Sequence, residues 1–511
     1  MKNNFSRRRF LATAGATAGA TLVGKSIFDV SKVFATTPYV RPDVNGVNGP
    51  AALTSYANGV TAMQGLAATD PRSWSYQAAI HGTTAMTLLQ DWDTCQHGGV
   101  NFFWAWHRMY LYWFERIVRS QSGNPNWALP YWDWQANPFL PAQFQVGGNA
   151  ALYVPAPNRN VSINNGTASV GNQTPGVNNA FAQPIFETPV GGIPSGADLL
   201  MQYPHNNVHS AVGNWSPVGY PPYYQFGWMS SILTAAQDPI FYLHHANVDR
   251  LWDLWLAYSN LNSDPTADTA WGGMVFNFFD ENANSVSMTP CDVLRALQQL
   301  NYSYEVEPTQ VNQYCFNPQP CNGSYTTLVD ECIQKPPFYL RPSYGYGYYQ
   351  FPISYGLGQQ IYGYLENPLN TIYLTHYGVT CPTNPGVVWD VYFGLPIGSE
   401  PGYGSPYYVG SYSMYGAGVA DQPPDGNEPA TFGFPVNKAI LTALKKLKKG
   451  GNIPITFFPT SVPHIATGGP IQKSTLSIQQ AQLTLQTVIP NRRVAGFPNK
   501  ESVVAKIMHH H

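Results

Sequence analysis

The chain has 511 residues, of which 44% are hydrophobic and 11% are charged, and its formal net charge is −2. A chain of this length and composition can bury a large core, which argues against an intrinsically disordered protein. Its length predicts about two to four domains. The small net charge gives no electrostatic reason to expect DNA, RNA or an anionic membrane as a partner.

Residues 1–35 have the pattern of a targeting segment. Three consecutive arginines, Arg7 to Arg9, are typical of a twin-arginine signal, and Val33-Phe34-Ala35 resembles a cleavage site. The apolar run between them is too short to span a membrane, and no later stretch reaches about 18 uninterrupted apolar residues. We therefore expect export by the twin-arginine route to the periplasm or the extracellular space, and no membrane span.

Apolar residues recur at helical spacing in three segments, residues 104–119, 199–211 and 238–258. Loops rich in proline and glycine separate these segments. The spacing predicts a mostly α core over residues 36–305, in which a helical bundle is surrounded by long irregular loops.

The pattern changes after residue 305. Residues 387–393 and 476–488 are predicted to be strands, because they are rich in β-branched and aromatic residues and are bounded by turn residues. Residues 435–448 are predicted to form a helix between them. We therefore expect a separate β-rich C-terminal domain over residues 306–511.

Cysteine usage fits an oxidising compartment. Four of the six cysteines fall between residues 315 and 381, and one or two disulfides there would suit an exported protein. The pairing cannot be deduced from sequence alone. The six are Cys95, Cys291, Cys315, Cys321, Cys332 and Cys381.

The histidines form two clusters. Leaving aside the three at the C-terminus, seven of the other nine are grouped as His81, His97 and His107, and as His205, His209, His244 and His245. The four-residue spacing of His205 and His209 places both imidazoles on one helix face. Because neither cluster brings a carboxylate, and because neutral imidazoles suit copper, the pattern predicts a copper site rather than the HExxH site of a zinc protease.

Three segments resemble the tyrosinase, catechol oxidase and mollusc-type haemocyanin superfamily. They are residues 95–115, the run from Leu129 to Trp134, and residues 238–252. Tyr302-Ser303-Tyr304 resembles a tyrosine motif of this family, and Trp389-Asp390-Val391-Tyr392 resembles a strand of plant polyphenol oxidases.

The resemblance implies a four-helix-bundle type 3 copper site that holds two copper ions. It assigns the first copper to His81, His97 and His107, and the second to His205, His209 and His245. It places His244 beside the ligands but not among them. His107 follows His97 by ten positions, one more than is usual in the family, so His97 is the ligand that the spacing puts in question.

Other residues are expected to lie around the coppers. The resemblance implies a thioether bond between Cys95 and His97, with a buried free thiol or a disulfide as the alternatives. Asp249 is a candidate acceptor for a ligand imidazole, with a surface position or pairing to Arg250 as the alternative. Phe241, one turn before His245, is expected to pack against the site.

The implied activity is the oxidation of o-diphenols to o-quinones by dioxygen, with phenols as substrates. Hydroxylation of monophenols is a further possibility, because Asn206 follows His205 as in family tyrosinases, while Gln202 stands near the position of the usual glutamate. Ile232 stands where plant enzymes often carry a bulky phenylalanine. The alternative function is a haemocyanin-like oxygen carrier. The oligomeric state is not predicted.

The C-terminal domain contains only His376 and His464 besides the terminal histidines, so we do not expect it to bind the coppers. The resemblance implies a latent precursor in which this domain covers the site, with a binding or stability module as the alternative. Phe457 and Phe458 are the candidate covering residues, and residues 416–435 are expected to form an exposed segment.

Overall fold

The computed structural model describes residues 37–489 except 86–87, 98–101, 187–193, 214, 219–222, 260, 266–267, 306–321, 333–337, 340–346, 381–387, 400, 403, 414, 416–429, 448–449 and 461–474. The predicted signal segment, residues 416–429 of the predicted exposed segment and the terminal histidines lie outside these residues. Residues 430–435 form a strand with three buried residues, so the expectation of an exposed segment is wrong for that part. None of the helices in the described part is long and apolar enough to cross a membrane.

The α-helices concentrate in residues 37–305, called the first part of the chain below. They are α1 Gly49–Gln64, α2 Trp74–His81, α3 Phe103–Ser122, α4 Val161–Asn164, α5 Thr174–Ala182, α6 Gly196–Leu200, α7 Asn206–Gly213, α8 Ile240–Tyr258, α9 Thr269–Gly272, α10 Ala296–Leu300, α11 Tyr355–Tyr364 and α12 Asn437–Lys446. Short 3₁₀ turns cover Ala142–Phe144, Trp228–Ser230, Ala235–Gln237 and Pro290–Asp292, and a π-helical turn covers Met201–His205.

The strands are mostly in residues 322–489, called the second part of the chain below. They are β1 Tyr39–Arg41, β2 Trp215–Val218, β3 Tyr223–Phe226, β4 Phe276–Phe279, β5 Ser285–Met288, β6 Tyr302–Tyr304, β7 Asn322–Cys332, β8 Phe338–Tyr339, β9 Gly347–Ser354, β10 Asn370–Val379, β11 Val388–Phe393, β12 Tyr408–Tyr412, β13 Ala430–Pro435, β14 Gly450–Thr460, β15 Thr475–Leu476 and β16 Gln480–Ile489.

Two long buried helices, α3 and α8, form the centre of the first part. α3 ends at Gly123, whose φ of 69° is the left-handed geometry in which glycine stops helices. α8 begins at Ile240, because Pro239 has no backbone N–H with which to extend the helical hydrogen bonds towards the N-terminus. The Asp238 carboxylate accepts from the Ile240 N–H. The helices predicted over residues 104–119 and 238–258 are confirmed.

The helix predicted over residues 199–211 is broken in the structure. α6 ends at Leu200, the π-helical turn follows, and α7 begins at Asn206. The break has a local cause, because Pro204 lies inside the turn and has no N–H to donate to the preceding helical turn. The turn shifts the register of the chain just before His205.

The second part is built on two four-stranded antiparallel sheets. One has the strand order β13-β10-β16-β7 and the other β12-β11-β14-β9. Every residue of β11 is buried, and β9 alternates strictly between buried and exposed positions. The predicted strand over residues 476–488 is divided into β15 and β16, and α12 occupies most of the segment predicted as a helix. The prediction of a mostly α core with a β-rich C-terminal region is confirmed.

The two parts pack against each other. Asn179 on α5 donates to the backbone carbonyl of Val409 on β12, 2.8 Å away. The side-chain amides of Gln183 and Gln486 exchange hydrogen bonds of 3.3 Å. The hydroxyls of Tyr203 and Tyr408 also hydrogen-bond each other. These contacts bring the second part over the π-helical turn, next to His205.

Candidate metal centre

The two predicted histidine clusters lie in two compact groups inside the first part. In one, the potential ligand atoms of His81, Cys95, His97 and His107 all lie within 4.8 Å of one another. In the other, the same holds for His205, His209, His244 and His245. The described residues of both groups include no carboxylate, so the donor sets are imidazole nitrogens, with one thiol in the first group.

Three different elements bring the first group together. His81 is the last residue of α2, His107 lies on α3, and His97 lies in the connection between them. The His81 Nδ1 lies 3.0 Å from the Ile232 carbonyl oxygen, and the His107 Nδ1 lies 2.7 Å from the Phe103 carbonyl oxygen. The long spacing does not keep His97 away, because its ring centroid is 5.5 Å from that of His81 and 5.2 Å from that of His107.

The second group is held by the π-helical turn, α7 and α8. The His205 Nδ1 lies 2.8 Å from the Asn206 side-chain oxygen, and the His209 Nδ1 lies 2.8 Å from the Met229 carbonyl oxygen. The Nε2 atoms converge: that of His245 is 3.2 Å from the Nε2 of His205 and 3.3 Å from the Nε2 of His209.

The groups adjoin each other. The rings of His107 and His245 stack with centroids 4.3 Å apart and planes 13° apart, and the His97 and His205 centroids are 5.5 Å apart. The arrangement therefore forms one buried site with two neighbouring sets of nitrogens.

The protonation pattern fits metal ions. Carbonyl and amide oxygens can only accept, so His81, His107, His205 and His209 each carry the proton on Nδ1 and leave a lone pair on Nε2. The Nε2 of His205 and that of His209 are then both acceptors, so the Nε2 of His245 can donate its single proton to at most one of them. Two imidazoles bound to one metal ion at tetrahedral angles and bond lengths of about 2.0 Å would have nitrogens about 3.3 Å apart, which is the spacing observed. A cation between these nitrogens would remove the repulsion between their lone pairs.

Burial keeps these imidazoles neutral. It lowers the pKa of His81 to about 3 and that of His205 to about 4. The pKa values of His107, His209 and His245 are also lowered by burial, and neighbouring imidazoles lower them further. Neutral imidazoles are the form that binds metal ions.

His244 differs from its neighbours. Its ring lies 5.1 Å from that of His205 with the planes 22° apart, so it belongs to the second group in space. Its Nδ1, however, accepts a hydrogen bond of 3.1 Å from the indole Nε1–H of Trp134. The structure thus places His244 next to His205, and its assignment as a neighbour of the ligands rather than a ligand stays a prediction.

Two phenylalanines fill the space between the groups. The Phe241 ring centroid is 4.2 Å from that of His245 and 4.6 Å from that of His81, as the position one turn before His245 suggested. Phe103 lies 4.8 Å from His205 and 4.9 Å from His107. Sequence reasoning missed Phe103, although its place four residues before His107 on α3 puts both side chains on one helix face.

The second part of the chain contributes Tyr415 to this site. Its ring stacks on that of His209 with centroids 4.3 Å apart and planes 12° apart. Its ring centroid also lies 6.0 Å from that of His205 and 6.3 Å from that of His97. The Asn206 side-chain amide donates to the Tyr415 carbonyl oxygen at 3.0 Å. Tyr415 is only 2% exposed, and its hydroxyl has no hydrogen-bond partner among the described residues.

The candidate covering residues Phe457 and Phe458 are wrong. Phe457 is buried in the core of the second part, where its ring packs on Tyr349 and His376. Phe458 packs against Tyr392 on β11. Both lie on β14 and are held by contacts inside the second part, so neither covers the two histidine groups.

The role suggested for Asp249 is also wrong. Its carboxylate does not accept from an imidazole among the described residues. It accepts from Arg41, Arg108, Tyr302 and Tyr304 at 2.5–3.0 Å. Burial opposes its ionisation, but the two guanidinium groups hold its pKa below the usual value. Asp249 therefore ties β1 and β6, which pair in parallel, to the central helices. Arg250 pairs with Asp133 instead.

The other predicted residues have these positions. Asn206 is buried beside His205, whereas Gln202 is half-buried and no described hydrogen bond joins it to Asn206. Ile232 contacts the site through its backbone carbonyl oxygen, which faces the His81 Nδ1. Cys95 is buried with its Sγ 3.5 Å from the His107 Nε2, and its bond to His97 stays a prediction. Cys291 is disulfide-bonded, as an oxidising compartment would allow.

Comparison with known proteins gives matches to one family. Residues 71–189 and 169–258 match the common central domain of tyrosinase, and residues 266–314 match the polyphenol oxidase middle domain. A tyrosinase of Hahella sp. (strain CCB-MM4) is 34% identical over 301 residues, covering 49% of this chain and 60% of that protein. The chloroplastic polyphenol oxidase latent form of Prunus armeniaca is 30% identical over 286 residues, covering 50% of this chain and 46% of that protein. The chain thus spans about half the length of the curated relatives it matches.

Solved structures share the fold over most of the chain. A latent aurone synthase (polyphenol oxidase) from natural source aligns with a TM-score of 0.60 at 20% identity, covering 89% of this chain and 91% of that chain. Latent apple tyrosinase aligns with a TM-score of 0.54 at 20% identity, covering 89% and 97%. At this identity the likeness concerns the fold.

Proposed function

We propose that this chain, which belongs to the tyrosinase and polyphenol oxidase family, is an oxidoreductase that oxidises o-diphenols to o-quinones with dioxygen at a pair of copper ions. Two diphenols and one dioxygen would give two quinones and two waters. The observation that carries the proposal is the convergence of two neighbouring sets of neutral imidazole nitrogens in one buried site, with no carboxylate in either set among the described residues.

Six histidines would hold the metals. His81, His97 and His107 would bind one copper, and His205, His209 and His245 the other. When bound, the copper pair would supply the redox chemistry that couples oxidation of the diphenol to reduction of dioxygen. All-nitrogen ligation by neutral imidazoles suits copper in both oxidation states, since no ligand adds negative charge.

The protein's own contribution is to orient the ligands and exclude water. The acceptors facing the Nδ1 atoms fix both the tautomer and the rotation of four rings, as is usual for ligand histidines. Phe103 and Phe241 pack against the rings from both groups and leave an apolar, aromatic wall, against which a planar phenol could stack. Water excluded from this wall cannot compete with the substrate.

The full chain is a latent form in this proposal. Tyr415 places an aromatic ring on His209, where a substrate ring would otherwise lie, and its backbone is tied down by Asn206. Because Tyr415 is tethered, it competes at high effective concentration, so weak contacts are enough to block access. Relatives and structural neighbours whose names include the word latent support this part of the proposal.

Asn206 connects latency to the handling of monophenols. Its side-chain oxygen accepts from His205 and its amide nitrogen donates to the Tyr415 carbonyl. Once Tyr415 leaves, that nitrogen is freed to hold a water or a substrate oxygen beside the site. Hydroxylation of monophenols therefore belongs to the uncovered enzyme, with Asn206 rather than Gln202 as the residue that would position the phenol.

Export by the twin-arginine route is part of the same proposal. The pattern Arg7 to Arg9 supports it, and this route suits proteins that fold, and take up metal, before they cross the membrane. The names of the relatives, tyrosinases and polyphenol oxidases, do not favour the oxygen carrier.

Oxygen uptake with catechol, before and after limited proteolysis in or before residues 416–435, tests the proposal. Cleavage there should raise catechol oxidation while the copper content stays the same. If the cleaved core retains both coppers but is no more active than the intact chain, the C-terminal region is not an inhibitor. If neither form consumes oxygen with catechol while both hold two coppers, the protein is not an oxidase and the carrier function gains support.

A further inference from the structure

The second histidine group contains four imidazoles although three are enough for one copper. His205, His209, His244 and His245 are all fully buried, and their potential ligand atoms are mutually within 4.8 Å. Proximity alone therefore does not exclude His244 as a ligand. What distinguishes His244 from His205 and His209 is the kind of group that its Nδ1 faces.

The Nδ1 of His244 faces a donor. The indole Nε1–H of Trp134 can donate but cannot accept, and it lies 3.1 Å from this nitrogen. The Nδ1 of His244 must therefore be unprotonated, and a neutral His244 carries its proton on Nε2. This is the opposite tautomer from that of His205 and His209, whose Nδ1 atoms face an amide oxygen and a carbonyl oxygen.

The position of Trp134 is itself fixed. The side chain is fully buried, its backbone N–H donates to the Trp132 carbonyl oxygen at 3.0 Å, and the Trp132 N–H donates to the Leu243 carbonyl oxygen at 3.1 Å. The residue before His244 thus anchors the segment that carries the indole. Rotation of the indole away from His244 would require this anchored segment to move.

We propose that Trp134 is a positioning residue that excludes His244 from the copper ligands and makes its Nε2–H a hydrogen-bond donor to an oxygen atom held beside the second histidine group. A nitrogen that carries a proton has no lone pair for a metal ion. The Nε2 of His244 is buried and has no hydrogen-bond partner among the described residues, so its proton is available to an oxygen atom held in the site. The acceptor chemistry that it fits is a phenol or dioxygen-derived oxygen. This inference rests on the proposed function for the identity of the metal, but not for the tautomer.

The chain provides a matched pair of variants. Trp134→Phe keeps an aromatic ring but removes the donor to His244. Trp132→Phe removes the same indole N–H from an equally buried side chain, whose hydrogen bond goes to the Asn137 carbonyl oxygen. Both variants lose one buried hydrogen bond, but only the first changes what faces an imidazole.

The first readout is the tautomer of His244 in the copper-free full chain, from the ¹⁵N shifts of histidine-labelled protein, with His244→Gln to assign the signals. His244 should be protonated on Nε2 in the natural sequence and in Trp132→Phe. Two N–H groups facing each other disfavour the other tautomer by about tenfold or more. In Trp134→Phe this preference should be lost, and the Nδ1–H form should become populated.

The second readout is X-ray absorption of the copper-loaded full chain. The natural sequence and Trp132→Phe should show three imidazoles per copper, and Trp134→Phe should show more. A His244 protonated on Nδ1 in the natural sequence, or a tautomer unchanged in Trp134→Phe, would overturn the inference. A chain that takes up no copper but shows the expected tautomers would overturn the proposed function and leave the role of Trp134 standing.

Discussion

Replacing Tyr415 with alanine should convert the latent chain into an active enzyme without proteolysis. The substitution removes the ring that stacks on His209 but keeps the backbone carbonyl that accepts from Asn206. Burying an aromatic side chain of this size stabilises the covered state by about 2 kcal/mol. Because about 1.4 kcal/mol corresponds to a factor of ten, the uncovered fraction, and with it catechol turnover, should rise about 30-fold.

The hydroxyl of Tyr415 should matter little. It has no hydrogen-bond partner among the described residues, so Tyr415→Phe should stay latent. Tyr349→Ala is the control for a general loss of stability, since Tyr349 is a buried tyrosine of the same part whose hydroxyl bonds to His376. The assay is oxygen uptake with catechol at equal copper content. The reasoning fails if Tyr415→Ala is no more active than the intact chain, or if Tyr349→Ala is activated equally.

Three further outcomes are expected. Replacing His107 or His245 with alanine should abolish bound copper at one position and oxidase activity, with an unchanged circular dichroism spectrum; full activity of either variant would contradict the ligand assignment. In copper-loaded protein Cys95 should resist alkylation after reduction, and its peptide should be lighter by two hydrogens, whereas ready alkylation would exclude the thioether to His97. Burial raises the pKa of Asp264 to about 7, so the stability it contributes is present at low pH and is lost as pH rises through about 7; Asp264→Asn should flatten the fall in melting temperature between about pH 4 and pH 7, and an unchanged profile would refute that assignment.

Sequence patterns were sufficient for the parts of the site that depend on local spacing. His205 and His209 lie four residues apart and meet on consecutive turns, and the apolar periodicity around His107 and His245 specifies α3 and α8. Such contacts are determined within one element. The Nδ1 atoms of His107 and His205 also face short-range partners, the Phe103 carbonyl oxygen and the Asn206 side-chain oxygen. Those of His81 and His209 face the more distant carbonyl oxygens of Ile232 and Met229.

The parts that sequence could not supply depend on distant contacts. Tyr415 reaches Asn206 across a separation of 209 residues, and nothing in the residues around it distinguishes it from the other tyrosines. The sequence makes Asp249 a candidate partner for an imidazole. In the structure it faces Arg41, 208 residues away, because the pairing of β1 with β6 carries that guanidinium to the central helices.

The His244 tautomer illustrates a finer limit. Two adjacent histidines on a helix point about 100° apart, so at most one can be expected to share the ligand direction, and the family pattern selects the second. The reason becomes visible only when Trp134, 110 residues earlier, is seen to donate to His244. The break in the helix predicted over residues 199–211 has a similar explanation. Pro204 accounts for the π-helical turn at Met201–His205, but the effect of the turn on the position of His205 is visible only in the packed structure.

The central claim is that two sets of three imidazoles hold a pair of coppers that oxidises diphenols. Elemental analysis of the purified, catechol-oxidising protein tests it most directly. The account predicts two coppers per chain, with activity lost when copper is removed and regained when copper alone is returned. Full activity with one copper per chain, or with zinc as the bound metal, would contradict it.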